Sequence, residues 1–144
     1  CLILPGILNP IPAMFDRKNI DFLRSLEGSD LLIASISSSP LLLAKAGYLQ
    51  GRRFTSGIPV EIMEYLDFVP RENAEAAPII CDGNLITATG VAYREFAVQT
   101  LRGLGIDCPD TIFQGIRSEM KPEDFVYRMG EENLQKFIAE YSSY

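Results

Sequence analysis

The segment Ile33-Ala34-Ser35-Ile36-Ser37-Ser38-Ser39-Pro40 holds the side chains best placed for chemistry. An apolar run that breaks abruptly into a helix start presents its turn residue at the carboxyl edge of a sheet, where open α/β folds bind ligands. Ser37 stands in that turn, ahead of a helix N-terminus that favours negative charge. The simpler reading is that three serines before Pro40 only start a helix, with Ser39 as N-cap and Pro40 at the first helical position. Spacing alone ranks that simpler reading first. A hydroxyl nucleophile needs an adjacent base, and these 144 residues contain no histidine. Lys45 lies two turns into the following helix, turned away from Ser37 by its spacing, and reads as a solvated helix residue. Cys1, Cys81 and Cys108 lie far apart with no C-x-x-C pair. No metal site and no cofactor are assigned on that basis. Cys81 and Cys108 read as plain structural cysteines, since neither has a cation beside it in the sequence. Arg94-Glu95 reads as a surface pair, and Arg52-Arg53 is too short for a binding patch.

Composition limits the classes of partner. Hydrophobic residues make up 47% of the chain and charged residues 22%, enough apolar content for a packed core, so the chain reads as one globular domain over 1–144. A net charge of −6 argues against nucleic acid as a partner, because phosphate binding rests on excess Lys and Arg. No apolar run has the length of a membrane helix. The apolar opening, Cys1 to Phe15, is broken by Pro5, Gly6, Asn9, Pro10 and Pro12 and lacks the basic start of a signal peptide. Sparse cysteines fit a reducing compartment, so the expected location is the cytoplasm.

The elements that position Ser37 alternate short apolar runs with amphipathic stretches, the pattern of βαβ units around a parallel sheet. Cys1–Leu4 reads as a strand ended by Pro5-Gly6. Asp16 caps a helix carrying Ile20, Leu23 and Leu26, with Gly28 at its stop. Leu31–Ile36 is a strand hydrophobic enough to be buried on both faces. Leu41–Ala46 is a helix stopped by Gly47, Arg53–Ser56 a short strand, and Val60–Leu66 a short helix. Asp82-Gly83 joins Pro78–Cys81 to Leu85–Thr89 as a type I′ hairpin. Tyr93, Phe96, Ala97, Thr100, Leu101 and Leu104 form one helical stripe. Residues 106–144 read as a helical extension, with one helix opening at Pro122-Glu123-Asp124 and a last one striped by Leu134, Phe137, Ile138 and Tyr141. A strand pattern beginning at the first residue predicts that further residues precede Cys1 in the complete protein.

The run Ala34 to Pro40 resembles the elbow of the ThiJ/PfpI superfamily, Ala-Ala-Ile-Cys-x-Gly-Pro, with Ser37 on the position of the reactive cysteine. Leu4-Pro5-Gly6 is similar to the family's Leu-Pro-Gly-Gly. The stretch from Ala44 through Gly47, Gly51, Arg52 and Thr55 resembles its Leu-Ala-x-Ala-Gly-Leu-Leu-x-Gly-Arg-x-x-Thr. Asp82-Gly83-Asn84-Leu85-Ile86-Thr87 with Gly90, followed by Glu95-Phe96-Ala97, resembles Asp-Gly-Asn-Ile-Ile-Thr-x-x-Gly and Glu-Phe-Ala. The matches run in order from Cys1 to about Leu104. They imply a three-layer α/β/α sandwich with a mainly parallel, flavodoxin-like sheet, the family's N-terminal strands lying before residue 1. The family is related to class I glutamine amidotransferases and commonly forms dimers or larger oligomers, which implies a homo-oligomer.

Departures from the pattern bear on function. A thiol titrates near pH 8.5 and an elbow lowers that further, whereas a serine hydroxyl has no such anion within reach. Many members place a histidine in Thr-x-His-Pro downstream, where this chain reads Thr55-Ser56-Gly57-Ile58. Ile7 replaces a second oxyanion-side glycine, and a branched side chain makes positive φ costly there. The resemblance therefore implies a pocket of Gly6, Ile7, Ser38 and Gly57 around Ser37 that binds a small molecule or serves assembly, without cysteine chemistry. The alternative is a serine-dependent hydrolase or transferase using Ser37, with its base from preceding residues or a neighbouring subunit. A third reading, the glutamine-side domain of a larger enzyme, is weakened by the loss of both cysteine and histidine.

Overall fold

The computed structural model describes residues 1–109 and 119–144. Strands Leu2–Leu4 (β1), Ile33–Ile36 (β2), Ile79–Asp82 (β3) and Leu85–Ala88 (β4) form one sheet in the order β1-β2-β4-β3. β1, β2 and β4 run parallel, and β3 returns antiparallel to β4 as the hairpin partner.

Alternation along β2 and β4 sorts their side chains into two cores. Ile33 and Leu85 face a cluster with Ile11, Met14, Leu23 and Leu41. These come from helices Ile11–Phe15 (α1), Arg17–Ser25 (α2) and Pro40–Ala46 (α3). Ala34, Ile36, Ile86 and Ala88 face the other way, onto Ala92 and onto Phe96 of Tyr93–Gly103 (α5). Every residue of β2 and β4 is buried. This is the three-layer α/β/α arrangement, with a mainly parallel sheet, that the sequence predicts. Val60–Tyr65 (α4) precedes β3, and Glu131–Tyr141 (α6) lies over the α1–α3 side, with Leu134, Phe137 and Tyr141 packed on that core.

Several local expectations change. Arg53–Ser56 forms only a single bridge, Phe54 to Ala74, rather than a strand. Asp82 pairs with Leu85, so the hairpin turn is Gly83-Asn84. Gly83 has φ 59° and Asn84 does not share that sign. Positive φ at the first central residue alone is the type II′ pattern, not type I′. In α5, Tyr93 and Leu104 are exposed at the two ends while Val98 is buried, because strands of four residues cover only the middle of the helix. Pro122–Phe125 is a short 3₁₀ turn instead of a helix. Part of the predicted extension, 110–118, lies outside the described residues.

Candidate functional site

The parallel strands deliver their following loops to one edge of the sheet. Gly6 follows β1, Ser37 follows β2, and Gly90 follows β4. Ser37 is held in place by its backbone. Its N–H donates to the Ala88 carbonyl at 2.9 Å, extending the β2–β4 ladder, and its carbonyl accepts from the Gly57 N–H at 2.7 Å. Among the described residues Ser37 is the one non-glycine with positive φ, 65°. An L-residue in that region carries strain of roughly 1–2 kcal/mol, and the two backbone hydrogen bonds hold it there.

The strained turn brings Ser37 against three glycines. A Cβ at Gly6 would stand 3.1 Å from Ser37 Cβ, one at Gly57 3.3 Å from Ser37 Oγ, and one at Gly90 3.4 Å from Ser37 Oγ. Close approach, not turn geometry, explains why these positions lack side chains. Gly90 was not among the sequence-derived pocket residues. The pairing of Ile36 with Ala88 is the signal that puts it beside Ser37.

Ser39 does not cap α3 through its side chain. Fully buried, its Oγ lies 2.8 Å from Ser35 Oγ, accepts from the Ile36 N–H at 3.2 Å, and shares its proton between the carbonyls of Leu4 at 3.0 Å and Ile36 at 2.8 Å. The hydroxyl turns inward because Leu4 and Ile36 end adjacent strands and their carbonyls need a donor. Ser38 Oγ donates to the Ile7 carbonyl. These bonds tie the loop after β1 to the elbow. Ile7 does not adopt positive φ, so the backbone cost expected at that position does not arise, and its half-buried side chain packs on the core.

Gly6, Ile7, Ser37, Ser38 and Gly57 all line one cavity of about 670 Å³, within the range of small-molecule sites. The structure thus brings together every pocket residue named from the sequence. Further parts of its lining were not legible there, among them Asn9, Met129 and, from α6, Lys136, Phe137 and Glu140. No hydrogen bond connects Ser37 Oγ to any described residue. The arrangement offers a hydroxyl at a strained elbow and a mainly apolar chamber, with no base poised on that hydroxyl among the described residues.

Lys45 is not a solvated helix residue. Its Nζ stands 4.5 Å from the ring centre of Phe15, 4.8 Å from Phe68 and 5.8 Å from Tyr141. It lies outside the cavity lining and acts where α3 meets α6. Partial burial holds the Cys81 thiol above its ordinary range, and Cys108 is buried. The shift at Cys81 is opposite to the depressed pKa of a reactive thiol. Among the described residues no cluster of three or more His, Cys, Asp or Glu is placed to hold a metal ion. No helix among them is long and apolar enough to cross a membrane.

Comparison with known proteins agrees with this geometry. The chain is 36% identical over 108 residues to the uncharacterized protease YoaZ of Bacillus subtilis, covering 70% of this chain and 50% of that protein. It is 32% identical over 110 residues to the isonitrile hydratase of Pseudomonas putida, covering 74% and 46%. A ThiJ/PfpI family protein from Bacillus anthracis superposes with a TM-score of 0.60 at 28% identity, over 73% of this chain and 50% of that one. The chain spans about half the length of the curated relatives it matches. The elbow, its three glycines and all four strands fall within residues 1–102, the part that matches the DJ-1/PfpI family, and the chain belongs to that family.

Proposed function

We propose that this chain is a small-molecule-binding member of the DJ-1/PfpI family, in which the cavity at Ser37 holds a ligand without the cysteine-dependent hydrolase, glyoxalase or deglycase chemistry of the family. The observation that carries this reading is the isolation of Ser37 Oγ: it borders a cavity of about 670 Å³, yet no described residue hydrogen-bonds to it. A serine without a base stays protonated and unreactive at neutral pH. The activities named for the relatives, a protease and a hydratase, belong to those proteins. Self-association, as a dimer or larger homo-oligomer in the cytoplasm, is part of the same reading and is checked by light scattering.

One observation favours a second reading. A strained φ of 65° at Ser37 is the kind of backbone outlier that accumulates at active sites. In that reading, a serine-dependent hydrolase or transferase uses Ser37 with a base from preceding residues or a neighbouring subunit.

The binding reading is tested by ligand-observed NMR against a fragment library, followed by amide shift mapping. Bound fragments are expected to shift Gly6, Ile7, Ser37, Ser38 and Gly57. Fragments that bind only elsewhere, or a library that gives none, would overturn it.

A further inference from the structure

The cavity at Ser37 is not chemically uniform, and its charged side chains lie on the wall that α6 supplies. Lys136 and Glu140 are the charged side chains in its lining. They stand four residues apart on α6, hence on one face of the helix. Most of the remaining lining is apolar, with Ile7, Ile11, Leu41, Ile58, Ile62 and Met129 among it.

The two charges are not equally available. Glu140 Oε1 accepts from Asn9 Nδ2 at 2.7 Å, and Asn9 is itself fixed by accepting from the Ile11 N–H at 3.0 Å through its other side-chain atom. That carboxylate is thus held by the loop after β1. Lys136 Nζ pairs with Glu132 at 2.7 Å, one turn back along the same helix, where the side chains are 70% and 82% exposed. An exposed pair of this kind contributes little and is readily exchanged. Lys136 is the charged group on the cavity wall that is free to turn onto a ligand.

We propose that the cavity takes a small organic carboxylate with an apolar body, and that Lys136 selects it by receiving the carboxylate while the body lies on the Ile58, Ile62 and Met129 side. This rests on the binding reading above and specifies its ligand class. A net charge of −6 repels anions at long range, so selection for one has to come from a local cation. A charge-assisted hydrogen bond at the edge of an apolar chamber supplies it.

The test compares octanoate, octanamide and octylamine, three ligands of one shape and different charge, by calorimetry on the whole chain at low and raised salt. Octanoate is expected to bind at least about tenfold more tightly than octanamide, with the difference shrinking as salt rises. Lys136→Ala is expected to bring the two within about threefold, Lys136→Arg to keep the preference, and circular dichroism to show both variants folded. Equal binding of all three, a preference for octylamine, or a preference unchanged in Lys136→Ala would overturn the assignment to Lys136 while leaving the binding reading intact. Binding of none of them, together with no fragment at the cavity, would remove both.

Discussion

The amide of Gly57 donates to the carbonyl of Ser37 at 2.7 Å, and a Cβ on Gly57 would stand 3.2 Å from Ser37 Cα. The segment before α4 is therefore pressed onto the elbow, backbone to backbone. A side chain at position 57 has to displace the elbow by a few tenths of an ångström. Gly57→Ala is expected to lower stability by about 1–3 kcal/mol, the usual cost of overpacking a tight site. Urea unfolding with an unchanged slope checks it. A variant as stable as the original chain would show that the elbow yields freely.

Phe15, Phe68 and Tyr141 surround the ammonium of Lys45, and Phe15 also stacks on Tyr144 at 5.3 Å and meets Tyr141 edge-on at 5.0 Å. This cluster clasps α6, and with it one wall of the cavity, to α1 and α3. Lys45→Met keeps the apolar stem and removes the charge. It is expected to cost about 0.5–2 kcal/mol and to raise amide hydrogen exchange across α6 while leaving β2 and β4 protected. Exchange that rises equally everywhere would mean that Lys45 stabilises the whole chain rather than the clasp.

Glu61 gives the cavity lining at Met129 a dependence on pH. Its own backbone N–H, then the Met129 N–H at 3.2 Å and the Arg128 guanidinium, hold its carboxyl below the ordinary carboxylate range, against an opposing effect of desolvation. A carboxyl whose pKa is depressed by folding stabilises the native state above its unfolded pKa and loses that contribution as pH falls through the lower folded value. The segment carrying Met129, which lines the cavity, is therefore expected to loosen below about pH 4. Glu61→Gln should remove this step from a pH series of Met129 amide shifts. A step that persists in Glu61→Gln would assign it to another group.

Much of the fold was legible in the sequence, for reasons visible in individual residues. Ile33–Ile36 and Leu85–Ala88 are mostly apolar runs, broken only by Ser35 and Thr87, because both faces of each strand are covered, and Gly47 stops α3 in the left-handed conformation at φ 95°. The elbow was legible through Ser37 and Pro40, and the pocket residues Gly6, Ile7, Ser38 and Gly57 through their resemblance to a family pattern. Ser39 does occupy the N-cap position before Pro40, but the inward turn of its hydroxyl was not legible, because it depends on the neighbouring ends of β1 and β2. Lys45 was misread because its aromatic partners Phe15 and Tyr141 lie thirty residues before it and almost a hundred after it. The α6 wall escaped for the same reason, since the contact of Asn9 with Glu140 spans nearly the whole chain.

The central claim is that Ser37 marks a binding cavity and not a nucleophile. Intact-mass spectrometry after incubation with a fluorophosphonate probe measures this most directly, because the probe phosphonylates a serine only where a base raises its nucleophilicity. The account predicts no added mass on this chain under conditions that fully label a serine hydrolase control. An adduct that maps to Ser37 and is lost in Ser37→Ala would contradict it.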